Sequence, residues 1–77
     1  MYLGDKIKSR REQLGLTQRE LAKQVGMNQS RISEVESGER KQMSLKNLRA
    51  MARALGVSAD YLIGTWEDLE EEVVTPR

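Results

Sequence analysis

An all-α fold, a compact five-helix bundle, is what this 77-residue chain predicts. Two observations carry that expectation. Apolar residues recur at helical spacing, three or four apart, with polar residues between them. Each such stretch also opens on a capping residue or closes on a glycine, and the intervals between them are short. Seventy-seven residues suffice for one small domain, near the size where a single core is only marginally adequate. Phe is absent and Tyr2, Tyr61 and Trp66 are the only aromatics, so the core must be aliphatic.

The first helix runs from about Gly4 to Leu14, with Leu3, Ile7 and Leu14 as its stripe and Gly15 as its stop. The second opens at Thr17. With Glu20 three residues on, Thr17 forms a capping box in which each side chain satisfies a free backbone donor of the other. Leu21, Ala22 and Val25 give this helix one apolar face, and Gly26 follows where positive φ is wanted. Asn28 caps the third helix, Ile32 and Val35 bury it, and Gly38 ends it. A polar connector, residues 39–43, leads to Ser44, the cap of a fourth helix with Leu45, Leu48, Ala52 and Leu55 on one face and Gly56 at its end. Ser58 caps a short fifth helix holding Tyr61 and Leu62, closed by Gly64. These elements make residues 1–64 one domain.

Residues 65–77 form an acidic C-terminal extension. Thr65-Trp66-Glu67-Asp68 is a second capping-box-like start, and Trp66, Leu69 and Val73 fall on one helical face. A sixth, dimerisation helix and a frayed acidic linker both remain open for this segment. Thr75-Pro76 would suit the start of a linker in a longer regulator.

Several function classes are disfavoured by composition. There is no Cys for a disulfide framework, and without Cys or His a zinc site loses its usual ligands. The absence of His removes the commonest general base and any catalytic triad, so neither an enzyme nor a cofactor is expected. Nothing resembles a signal peptide or a membrane span, which makes the cytoplasm the default home. Net charge is +1, but unevenly distributed. Residues 1–66 carry twelve Lys/Arg against seven Asp/Glu, whereas residues 67–77 hold five acidic residues and only Arg77. The globular part therefore favours a phosphate backbone and the tail repels one.

Two helices joined by so short a link, Gly26 to Asn28, must cross steeply, the geometry of a DNA-reading helix-turn-helix. At about 100° per residue, Ile32 and Val35 define the inward face of the third helix. Ser30, Ser33, Glu34 and Ser37 then point away, with Gln29 at the edge. A major groove admits one helix, and side chains near its N-terminus reach base edges. Gln29 offers the donor–acceptor amide that adenine N6/N7 requires, Ser30 suits either base type, and Glu34 can accept from cytosine N4. A carboxylate near phosphates is unfavourable, so Glu34 can equally act to reject wrong sequences. The competing interpretation of all four, Gln29, Ser30, Ser33 and Glu34, is a solvated polar face.

The stretch Thr17, Gln18, Leu21, Ala22, Gly26, Ser30, Ile32, Ser33, Glu36 and Gly38, followed by Leu45 through Leu62, resembles the phage-repressor (Cro-like, lambda-repressor-like) helix-turn-helix family over roughly residues 3–64. The resemblance implies a lambda-repressor-like DNA-binding domain that binds double-stranded DNA as a homodimer on a two-fold operator. It implies a transcription regulator, most simply a repressor. Gln29 and Ser30 stand where the family's base-reading pair stands. Gln18, at the start of the second helix where free N–H groups attract phosphate, is implied to contact the backbone and to support Gln29. Thr17, Arg31, Ser37, Arg40 and Lys41 are the further phosphate candidates, Arg31 being open to guanine as well, and solubilising charge is the rival account of the basic ones. Arg11 and Glu36 match positions that form a partly buried ion pair. Leu62, Ile63, Trp66, Leu69 and Val73 are expected to build the dimer contact. An antitoxin or a restriction–modification controller, whose acidic tail holds a protein partner, is the alternative.

Overall fold

The computed structural model describes residues 2–63, and most of the start and stop signals that fall within them are made. The elements are α1 (Leu3–Gln13), α2 (Gln18–Val25), α3 (Gln29–Ser37) and α4 (Leu45–Leu55). A fifth helix, α5, is helical over residues 59–63. No strand is present among the described residues. Both halves of the α2 capping box form: the Glu20 amide donates to Thr17 Oγ1 at 3.0 Å and the Thr17 amide to Glu20 Oε1 at 2.9 Å. Ser44 accepts from the Asn47 amide at 3.2 Å and Ser58 from the Tyr61 amide at 3.1 Å, starting α4 and α5. Asn28 holds the N-cap position of α3 in extended conformation, but its side chain makes no capping bond. Gly26 takes φ 73°. That left-handed residue lets the chain leave α2 and enter α3 across three residues, with the Met27 amide bonding back to the Ala22 carbonyl at 2.9 Å.

The core is aliphatic as expected: Leu3, Ile7, Leu21, Ala22, Ile32, Val35, Leu48, Ala52, Leu55 and Leu62, joined by Met43 and Met51. Three expected core residues lie outside it. Leu14, 42% exposed, follows the last residue of α1, so the helical stripe has run out before it. The face is continued at 11 instead, by Arg11. Leu45 is the first residue of α4 and stands exposed ahead of the contact surface, while Met51 completes the buried set Leu48, Met51, Ala52 and Leu55. Tyr61 is exposed, and the side chain that seals α5 into the core is Leu62.

Helix α1 packs on α3 and α4, and α2 packs on both of them as well. The α1–α3 crossing is close enough to require glycine. A Cβ on Gly4 would fall inside the van der Waals envelope of the Val35 carbonyl oxygen and 3.0 Å from that of Glu36. From the other side of α1, Arg10 Nε donates to the Leu55 carbonyl at 2.8 Å and Lys6 Nζ to the Tyr61 carbonyl at 2.9 Å. The Lys6 ammonium also lies 4.4 Å from the centroid of the Tyr61 ring. The end of α4 and the middle of α5 are thus pinned to α1 by charge-assisted bonds to carbonyls. Among the described residues no helix is long and apolar enough to cross a membrane. The expectations for Gly64, Trp66, Leu69 and Val73, and for a sixth helix, lie outside the described residues.

Candidate nucleic-acid interface

Because Ile32, Val35 and Glu36 turn α3 inward, its opposite face is left to polar residues. Gln29, Ser30, Arg31, Ser33 and Ser37 are exposed, and Glu34 is half-exposed. The five side chains named from the 100° periodicity therefore share one accessible surface, with Gln29 opening the helix. Gly26, Met27, Asn28 and Arg31 line a shallow polar depression beside it, together with Asn47 from the start of α4. Nothing in the pattern of the chain singled out Asn47, whose position depends on how α4 docks.

The orientation of α3 is set from within by a buried ion pair. Arg11 Nε donates to Glu36 Oε2 at 2.7 Å and Nη2 to Oε1 at 3.0 Å, a two-pronged contact between α1 and α3. The third arm of the guanidinium, Nη1, donates to the Leu16 carbonyl at 2.8 Å in the α1–α2 loop. Glu36 Oε1 also accepts from Gln18 Nε2 at 3.1 Å. The carboxylate is 3% exposed yet meets three donors from two helices, which compensates much of its desolvation. The bond to Glu36 raises the pKa of Arg11 above its already high ordinary value, against the lowering effect of burial. This network ties the beginning of α2 to the inner face of α3, and so fixes the angle between the two helices of the motif.

Gln18 differs from expectation here. Its amide turns to Glu36 rather than toward Gln29, because a buried carboxylate with two oxygens recruits donors beyond one guanidinium. Thr17 is exposed and its hydroxyl is engaged by the Glu20 amide. Ser37 is a turn-former: its hydroxyl donates to the Glu34 carbonyl at 3.1 Å and accepts from the Glu39 amide at 3.3 Å. Arg40 lies in the loop as expected but donates through Nε to Glu34 Oε1 at 3.2 Å, so the two residues assigned to phosphate and base form a pair. Arg31 and Lys41 are exposed and make no ion pair among the described residues. Leu62, assigned to the dimer contact, is fully buried inside the domain, and Ile63 is half-buried against the same core. Among the described residues no three acidic or metal-binding side chains cluster as a metal site would require.

A family model described as helix-turn-helix matches residues 7–62. The immunity repressor protein of Bacillus phage phi105 is 33% identical over 72 residues, covering 94% of this chain and 49% of that protein. The chain thus spans about half the length of this curated relative. Among solved structures, the P22 c2 repressor bound to a synthetic operator superposes with a TM-score of 0.77 at 35% identity, covering 84% of this chain and 97% of the other. SinR, the master regulator for biofilm formation in Bacillus subtilis, solved in complex with DNA, gives a TM-score of 0.76 at 30% identity, covering 79% and 97%.

Proposed function

The chain belongs to the helix-turn-helix family, in its phage-repressor-like branch, and on that premise we propose that it is a sequence-specific DNA-binding transcriptional regulator acting as a repressor. The observation that carries the proposal is the outward polar face of α3, held at a fixed angle to α2 by the Arg11–Glu36–Gln18 network. Relatives of the same fold were solved on operator or other DNA, which supports placing α3 in a major groove. In this arrangement Gln29, Ser30 and Ser33 contact base edges near the start of the helix. Arg31 and Lys41, with the α2 start at Thr17 and Gln18 and the turn at Ser37, face the phosphate strands and set register.

One helix reads too few base pairs for useful specificity, so the acting species is a homodimer on a two-fold operator. Repression follows from occlusion of the promoter in the cytoplasm. The dimer contact falls to Ile63 and to Trp66, Leu69 and Val73 of the acidic extension, since Leu62 is occupied in the core. Five acidic residues in residues 67–77 suit a position away from the phosphates. Footprinting on genomic fragments tests the proposal. Two protected half-sites with centres about one helical turn, or a whole number of turns, apart are expected. Protection that is indifferent to sequence would overturn it.

A further inference from the structure

The outward face of α3 carries an ion pair that fold stability does not explain. Glu34 stands one turn beyond Ser30, opposite Ile32 and Val35, and its Oε1 accepts from Arg40 Nε at 3.2 Å. The pairing is built from the backbone up. The Arg40 amide donates to the Glu34 carbonyl at 3.0 Å, and the same carbonyl accepts from Ser37 Oγ. Ser37 Oγ in turn receives the Glu39 amide. The loop after α3 is thus folded back on Glu34 so that Arg40 returns to its side chain. Yet both side chains are well exposed, Arg40 45% and Glu34 36%, and exposed pairs contribute little to folding.

The arrangement has a clear use on DNA. A bare carboxylate on a groove-facing helix is repelled by the phosphates on either side. With a guanidinium on Oε1 the unit is neutral, and Oε2 makes no hydrogen bond among the described residues. We infer that Glu34 and Arg40 act as one specificity-determining unit, in which Arg40 neutralises and orients Glu34 so that its second oxygen accepts from the exocyclic amine of a cytosine in the major groove. Cytosine fits because its major-groove edge presents the N4 donor, whereas adenine sets the N7 acceptor beside its amine, against a second carboxylate lone pair. Arg40 is the positioning residue and Glu34 the one that touches the base. The planar guanidinium fixes direction as well as charge, which a lysine ammonium does not. The inference rests on the DNA-binding function proposed above.

Selection from randomised duplexes, with the wild type, Glu34→Ala, Arg40→Ala and Arg40→Lys compared, tests it. The wild type is expected to enrich cytosine at one position per half-site by about 5–150-fold. Glu34→Ala flattens that position and leaves the others. Arg40→Ala flattens the same position, and Arg40→Lys retains part of the preference. Both side chains are exposed, so all variants keep the fold. If Arg40→Ala keeps the cytosine preference while binding every duplex more weakly, Arg40 is a phosphate contact and the inference is overturned. An unchanged preference in Glu34→Ala overturns it equally. A wild type that enriches no sequence would refute the sequence-specific binding proposed above.

Discussion

Truncating Arg11 to alanine is expected to destabilise the domain by about 3–5 kcal/mol, the cost of leaving a buried charge without its partner. The magnitude follows from what the guanidinium does. It supplies two of the three donors to the Glu36 carboxylate, at 2.7 and 3.0 Å, and the donor to the Leu16 carbonyl at 2.8 Å. After truncation Glu36, 3% exposed, keeps only the Gln18 amide at 3.1 Å. A small domain has about 5–15 kcal/mol of stability in all. In one this small each kcal/mol moves the melting midpoint by about 4–8 °C, so a fall of roughly 12–40 °C is expected. Thermal denaturation followed by circular dichroism measures it. Replacing both partners, Arg11→Met with Glu36→Met, should recover much of the loss, because no charge is then stranded. A midpoint for Arg11→Ala within about 5 °C of the wild type, the shift about 1 kcal/mol would give, would refute the reasoning.

Gly4→Ala should lower the melting midpoint, by about 1–3 kcal/mol of strain where the new methyl meets the Val35 carbonyl. Helix propensity alone would stabilise it by up to about 1 kcal/mol, so the sign decides. Gln29→Ala should remove about 1–3 kcal/mol of discrimination at one position per half-site. Competition binding with single-base operator variants reads this, and equal loss on every sequence would reduce Gln29 to a backbone contact. Lys41→Ala should weaken binding to all sequences alike and make the slope of log K against log salt shallower by about 1 per subunit. An unchanged slope would place Lys41 in solvent. Deleting residues 65–77 should weaken self-association and operator binding together while the monomer stays folded. Sedimentation equilibrium checks this, and unaltered dimerisation would assign the extension to another task.

What the chain made legible was local. Thr17 with Glu20, Ser44 with Asn47 and Ser58 with Tyr61 are bonded across three residues, so the pattern that predicts each also contains it. The outward face of α3 follows from the same arithmetic of 100° per residue. The errors came at element ends, where periodicity no longer applies. Leu14 and Leu45 fall at the end of α1 and the start of α4, and the connector residue Met43 turns into the core. Contacts between elements were out of reach of spacing. Helical spacing placed Arg11 and Glu36 on inward flanks, but their pairing was expected through family resemblance alone. Arg40 meets Glu34 through an irregular turn, and Gln18 turns to a carboxylate 18 residues away. Lys6 and Arg10 bind main-chain carbonyls, a target every residue offers and no side-chain pattern marks.

The position of α1 has a consequence for how the molecule opens. It touches α3 through Gly4 and Arg11, the end of α4 through Arg10 and α5 through Lys6. Detaching it would strand the Glu36 charge, uncover Ile7 and release the α4 and α5 carbonyls bound to it. Freeing α1 alone carries all of these losses at once, so the domain is expected to open as a single cooperative unit. Slowest amide exchange in α1 should therefore match that in α3 and α4, and a first helix that exchanged much faster would contradict it. A helix on the far side of the Arg11–Glu36 pair thereby governs whether the outward face of α3 is presented at all.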